Sequence, residues 1–425
     1  MYSVIFQDVI EIMHHDYAGC KDKRSWDNPQ MFKQKINELD QKGELDDHLF
    51  AEIVEDYLLD FQDPHMFFNV IKANGQKSID NGFKVRRFGD KLFVTSVLKK
   101  EKLNRGDAIV SLDHTPVKEL AVNYQRELME TEAEREDWRR IIQKHNVADV
   151  LTPEGKHKSI QLNQYEKADY TPKHTITRID SETLLMTLTD FFDAEVIDQL
   201  IDKHQNSLMS TKNLIVDVRT NYGGSSLAYE GLEKYLFPAG STQVHFSDYE
   251  NEFNCTERNT ELMIDIINQT LENIDHEEYR NGLERYRDET WVNNKGKGFI
   301  SFDDDEEENE MDIKGLEFPE NVVVLTDSYC GSAGDIFVYL CKQSPKVTVV
   351  GRPTKGVNDY SDLTIQKWHD KFGLGYPTSR LKSLERRGAL NNPGIKPDVY
   401  IPWTPEHINK DVDMEKALSI FRGRI

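Results

Sequence analysis

Val322-Val323-Val324-Leu325-Thr326-Asp327-Ser328-Tyr329-Cys330-Gly331-Ser332-Ala333-Gly334-Asp335-Ile336-Phe337 reads as a strand that turns sharply into a helix. Val322 to Leu325 are apolar and mostly β-branched, the pattern of a buried strand. Small and polar residues follow and mark a tight turn. From Ala333 onward Ile336, Phe337, Leu340 and Cys341 recur at helical spacing. Ser332 therefore stands at the junction, beside helix N-terminal amides that lack intrahelical acceptors. Such a hydroxyl suits a nucleophile, because the same amides can stabilise an oxyanion. The plainer reading of Ser332 is a helix N-cap.

A second stretch, Asn213-Leu214-Ile215-Val216-Asp217-Val218-Arg219-Thr220-Asn221-Tyr222-Gly223-Gly224-Ser225, is another buried strand running into a glycine turn. Together the two stretches resemble the tail-specific, or C-terminal processing, serine peptidases and the related tricorn core. That family carries Asp-x-Arg-x-Asn-x-Gly-Gly after one strand and Ser-Ala-x-Glu after another. Here Ser332-Ala333-Gly334-Asp335 fills the second pattern, with Asp for Glu. Gly351-Arg352-Pro353-Thr354-Lys355-Gly356 matches the family's Gly-x-x-Thr-x-Gly, and Gly394-Ile395-Lys396-Pro397-Asp398-Val399 its Gly-Ile-x-Pro-Asp-Val. The resemblance implies an α/β catalytic core, a ClpP/crotonase-like layered sheet with helices. It further implies peptide-bond hydrolysis in unstructured or C-terminal segments.

Composition sets the bounds around that reading. The 425 residues suffice for two or three domains, and 38% hydrophobic with 30% charged residues is ordinary for a globular protein. A net charge of -22 argues against a nucleic-acid or anionic-membrane partner and favours basic or neutral peptides. Cys20, Cys255, Cys330 and Cys341 show no metal-ligand spacing. Neither a His-Glu-x-x-His nor a phosphate-loop motif occurs, so no metal and no cofactor is expected. Met1 to Asp8 lacks a basic region followed by an apolar run, and no stretch of about 18 apolar residues occurs. A cytoplasmic location is expected, with a peptide or unfolded protein as substrate and a homo-oligomer as an open possibility.

Along the chain, residues 1–78 read as a helical domain. Val4, Ile5, Val9, Ile10 and Met13 share one helical face, as do Leu49, Phe50, Ile53, Val54, Tyr57 and Leu58. Pro64 ends this segment and leaves His65 on a loop. Residues 79–168 read as β-rich, and Gly106-Asp107-Ala108-Ile109 followed by a strand resembles the later half of a PDZ domain, a module that binds extended termini at a sheet edge. Glu132 to Lys144 reads as a solvated helix. Residues 169–425 form the α/β core, with an insertion at about 240–318 that holds the acidic run Asp303 to Glu308.

A serine needs a base. The family's lysine position, in Thr-x-Gly-Lys-Gly, holds Val357 here, with Lys355 two residues earlier. The tricorn-like and retinoid-binding-protein-like branches use a histidine from an Asp-x-His context near the end of the N-terminal segment, and the resemblance implies that His65 is this residue. Their orienting Glu corresponds to Asn391, with Glu385 and Asp359 as alternative orienters. Gly223, Gly224 and Ala333 are the implied oxyanion donors. Two other classes stay open: an inactive peptide-binding protein on a peptidase fold, and a scaffolding module. Within the enzyme reading, a Ser-Lys peptidase using Lys355 is the alternative.

Overall fold

A computed structural model describes residues 1–71, 79–98, 102–274, 277–302, 310–387 and 393–423. The acidic run at 303–308, and Asn391, lie outside the described residues. The chain forms two compact units. The first comprises Met1–Ile71, Lys173–Val349 and Pro353–Asp398, the second Lys72–Pro172, Val350–Arg352 and Val399–Ile425.

The first unit is built on two sheets. In one, the strands follow the order His174–Arg178, Thr183–Leu188, Asn213–Asp217, Asn321–Thr326, Val347–Gly351. His174–Arg178 is an antiparallel edge, while Thr183–Leu188, Asn213–Asp217 and Asn321–Thr326 run parallel. Val322 to Leu325 are wholly buried, as unbroken apolar runs in a sheet covered on both faces must be. Leu214, Val216, Val322 and Val324 share one core with helices Ala194–Leu208 and Ala333–Cys341. The register is in phase: Asp217 lies opposite both Thr187 and Leu325. The chain therefore leaves all three strands at the same end of the sheet, where open α/β sheets place their ligand sites.

The other sheet joins residues far apart in sequence. Phe372–Leu381 pairs along its length with Tyr360–Trp368, and at its two ends with Phe67–Val70 and Asn251–Cys255. Helices Tyr2–Glu11, Pro29–Lys42 and Asp47–Leu58 pack onto it through an aromatic core. There Phe50 and Phe372 meet edge-on at 5.2 Å and Phe68 stacks on Phe372 at 5.6 Å. Residues 1–71 thus share a core with the 360–384 tail. The 240–318 insertion is fastened in part, since Asn251–Cys255 and Gly298–Ser301 are strands of this sheet. Around its helix Glu257–Leu271 it keeps a small core of Cys255, Met263, Ile267, Leu271 and Trp291.

The second unit holds an antiparallel sheet ordered Phe83–Phe88, Lys91–Val97, Ala108–Leu112, Val147–Leu151, His157–Gln161. The segment expected to be a solvated helix, Glu132 to Lys144, is helical only at Ala133–Arg135 and Arg139–Gln143. Trp138, Ile141 and Ile142 fall on one face and are buried in this unit's core. Residues 399–425 belong here: Val350 pairs in parallel with Val399, and buried Arg352 donates to Asp413 of helix Val412–Gly423 at 3.0 Å. Among the described residues no helix is long and apolar enough to cross a membrane.

Lys346 fastens the base of the insertion. Its ammonium donates to the Leu316 carbonyl at 2.9 Å and the Phe237 carbonyl at 3.2 Å. Burial pushes it down to about 8. A lysine lowered in the folded state binds fewer protons there than in the unfolded chain between about pH 8 and ~10.4, so folding stability rises with pH across that window. Urea midpoints measured at intervals from pH 7 to 10 should climb more steeply for the native protein than for Lys346→Met, which lacks this titration. Parallel curves would show that Lys346 titrates normally.

Candidate active site

The Ser332 turn is strained in a specific way. Gly334 N–H donates to the Gly331 carbonyl at 3.0 Å, closing a four-residue turn with Ser332 second. Ser332 has φ 58° and ψ −125°, the type II′ conformation usually taken by glycine. Ser332 is the N-cap of helix Ala333–Cys341, with Asp335 at N3 accepting from its N–H, but a plain N-cap has extended backbone and needs no such strain. A side chain held there costs on the order of 1–3 kcal/mol, and strand-to-helix elbows of this kind lift a nucleophilic hydroxyl clear of its surroundings.

Asn221 holds the turn in place. Fully buried, it donates through Nδ2 to the Leu188 carbonyl at 3.1 Å, and its own carbonyl accepts from Gly331 N–H at 3.1 Å. Its Oδ1 accepts from Gly223 N–H at 2.9 Å. In the sequence Asn221 is one position of the Asp-x-Arg-x-Asn-x-Gly-Gly motif, with nothing in residue type alone to mark it as a tie between turns. Its signal was a side chain with both donor and acceptor at the end of a buried strand.

Gly223 adopts φ +80°, and a Cβ there would lie 2.7 Å from Ser332 Cβ and 3.2 Å from Ala333 N. This close approach is what its lack of a side chain permits. Its amide is engaged by Asn221, so Gly223 contributes contact rather than a free donor. Gly224 is exposed and braced on Phe191, whose N–H donates to the Gly223 carbonyl at 2.7 Å and whose carbonyl accepts from Ser225 N–H at 2.8 Å. The amides of Gly224 and Ala333 have no acceptor among the described residues.

Asp335 gathers the other side of the turn. Only 1% exposed, it accepts from Ser332 N–H at 2.8 Å and from Gly356 N–H at 2.8 Å. Thr354 and Val357 also donate to it. Burial raises its carboxyl above the ordinary range against the pull of these donors. Asn358 Nδ2 donates to the Ser332 carbonyl at 2.8 Å. Lys355 N–H donates to the Cys330 carbonyl at 2.7 Å, and its side-chain stem passes beside Gly331. Val357, at the family's lysine position, is buried.

His65 is half-buried on the loop before strand Phe67–Val70. Its main-chain N–H donates to Asp63 Oδ1 at 2.9 Å, and its Nδ1 lies 2.7 Å from the Tyr360 carbonyl. A carbonyl only accepts, so Nδ1 carries a proton, and in the neutral form of the ring Nε2 is the acceptor. The Ser332 carbonyl is bonded to Asn358 and the His65 ring to Tyr360, two residues on, a chain distance of at most ~7 Å. The orienting group that meets His65 is thus a backbone carbonyl. Glu385 is exposed and 3.8 Å from Arg380, and the charge of buried Asp359 acts on Lys23. Arg219 pairs with Asp217 at 2.7 Å, and Cys330 and Cys341 are buried free thiols pushed upward by burial. Among the described residues no cluster of three His, Cys, Asp or Glu side chains could hold a metal.

The model of peptidase family S41 matches residues 182–401, just over half of the chain. The chain belongs to peptidase family S41 and is a serine peptidase. The matched stretch contains Gly223, Gly224, Ser332 and Lys355 and leaves His65 outside. No curated protein matches. Among solved structures, mature CPAF is similar over 99% of this chain and 96% of its own, at 12% identity and TM-score 0.64. CPAF complexed with lactacystin gives 99% and 97%, 13% identity and TM-score 0.65. The tricorn protease gives 99% and 36%, 12% identity and TM-score 0.44. The likeness to CPAF shows a shared fold.

The strain at Ser332 gives a stability test. Ser332→Gly should unfold at higher urea than Ser332→Ala, by about 1 kcal/mol, because glycine relieves the positive φ. Equal stabilities would mean that residue 332 relaxes to an ordinary cap conformation.

Proposed function

We propose that the S41 peptidase acts through an acyl-enzyme on Ser332 with His65 as base, on unstructured or C-terminal protein segments. The observation that carries this reading is the strained Ser332 turn lying against Gly223 while His65 presents an acceptor nitrogen from a neighbouring anchor. His65 Nε2 takes the Ser332 proton as Oγ attacks the scissile carbonyl carbon. The Ala333 amide, with Gly224 as its partner, donates to the oxyanion. The C–N bond then breaks, the imidazolium returns its proton to the leaving amine, and water activated by the same ring releases the acid. The Tyr360 carbonyl does the orienting expected of Asn391, Glu385 or Asp359.

The layered core with in-phase parallel strands supports the ClpP/crotonase-like description. The antiparallel sheet at residues 83–161 supports a PDZ-like module that would bind extended chain at an edge. A Ser-Lys mechanism is the second reading, favoured by the Lys355 stem beside Gly331.

Labelling by a fluorophosphonate probe and hydrolysis of an unstructured peptide should both vanish in Ser332→Ala. Peptide hydrolysis should fall at least ~10³-fold in His65→Ala and persist in Lys355→Ala. A histidine base must be neutral, and histidines ordinarily titrate near ~6.5, so kcat/KM should rise through one acid limb near neutrality and then plateau. Activity confined to strongly alkaline solution, with Lys355→Ala dead and His65→Ala active, would assign the base to the lysine.

A further inference from the structure

Beneath His65 lies a buried cation that the mechanism above does not use. Lys23 is 2% exposed, in the loop after the first helical stretch. Its ammonium donates to Tyr17 Oη at 3.1 Å and lies 4.2 Å over the ring of Tyr360. Tyr17, itself wholly buried, donates to Asp63 Oδ2 at 2.8 Å. The other oxygen of Asp63 accepts the main-chain N–H of His65, and Tyr360 supplies the carbonyl that accepts from the His65 ring. Both anchors of the histidine, one on its backbone and one on its ring, therefore converge on a single ammonium.

We propose that Lys23 is the positioning residue of the His65 base, acting through Tyr17 and Asp63 on its main chain and across the face of Tyr360 on its ring. The inference rests on the Ser332–His65 reading. The arrangement is costly for a merely structural contact. A buried ammonium loses hydration, and among the described residues this one recovers a single hydroxyl acceptor and aromatic faces rather than a direct carboxylate. Burial lowers its proton affinity, with Asp63, Asp359 and Asp22 pulling the other way. Tyr360 is held in turn, its hydroxyl donating to Asp22, which also lies 3.2 Å from Arg380 Nε. Burial raises the carboxyl of Asp362, against the pull of Ser379 and Tyr286, which donate to it, and of the charge of His65. The titratable and charged groups around the base thus include Lys23, Asp63, Asp359, Asp22, Arg380 and Asp362.

The chain Lys23–Tyr17–Asp63 should affect catalysis through geometry and field together. Tyr17→Phe keeps every charge and removes the link; kcat should fall about tenfold with KM within about twofold, since a misplaced base slows chemistry rather than binding. Asp63→Asn removes a negative charge and should move the acid limb of kcat/KM to lower pH. Lys23→Met removes a positive charge and should move it to higher pH, each by about a few tenths of a pH unit. Lys23→Arg should restore part of the limb's position.

All variants are measured on the full chain with one unstructured peptide, alongside thermal midpoints and His65→Ala. Should Lys23→Met fail to fold, Tyr17→Phe and Asp63→Asn carry the test. Opposite limb displacements with reduced kcat support the proposal. Lowered midpoints with native kcat and an unmoved limb overturn it, leaving Lys23 a structural residue. If His65→Ala is fully active, the Ser-His reading fails and this inference with it; if His65→Ala is dead while the other variants keep native kcat and limb, this inference falls alone.

Discussion

The buried carboxylate of Asp335 is the constraint on which the site depends. A carboxylate removed from water is tolerated only if donors surround it, and here the donors come from two directions. One is the amide of Ser332, at the start of the serine's own helix. The others come from the 354–357 loop, through Thr354, Gly356 and Val357. Satisfying one side chain therefore joins the end of a central strand to a loop more than twenty residues on. The same loop carries Asn358 to the Ser332 carbonyl, and two residues later the carbonyl that meets His65.

Against that joint stands a second one that works by exclusion. The parallel strands end in register, which delivers the glycine turn and the serine turn to the same end of the sheet. Asn221 ties the two turns together, and the absent side chain of Gly223 lets backbone come against Ser332. The positive φ of Ser332 persists because these contacts over-determine it. Strain of this kind is stored where the surrounding packing can hold it, and here the core beneath the turn is wholly buried.

Much of this was legible in the sequence, and the boundary of legibility has a physical cause. Strands with unbroken apolar runs, the serine at a strand-to-helix turn and the paired glycines all leave a signature in residue type. The orienter of His65 leaves none, because it is a main-chain carbonyl 295 positions away and every residue has one. The resemblance therefore points to side chains, Asn391 with Glu385 and Asp359 as alternatives, of which Glu385 faces Arg380 and solvent. The proposed role of Lys23 leaves as little trace, because its partners are the tyrosines Tyr17 and Tyr360, which read as core. The amphipathic stretch at 132–144 was misread because its many charges masked Trp138, Ile141 and Ile142 on one face.

In the proposed mechanism the choice of a carbonyl over a carboxylate has consequences. A carboxylate on Nδ1 would fix the tautomer and also stabilise the imidazolium, holding the base protonated to higher pH. A carbonyl fixes the tautomer equally well and adds only a dipole. Stabilisation of the charged ring then falls to groups set further off, among them Asp63 and Asp362, the latter on the same strand as Tyr360 and raised by burial. Strand Tyr360–Trp368 thus carries both the orienting carbonyl and one of these distant carboxyls. Its position is fixed by pairing with Phe372–Leu381 and by the aromatic core that residues 1–71 build on that strand. The placement of the base consequently depends on packing between the two ends of this unit's sequence. Loosening Phe50 against Phe372 would reach the chemistry without touching a polar residue.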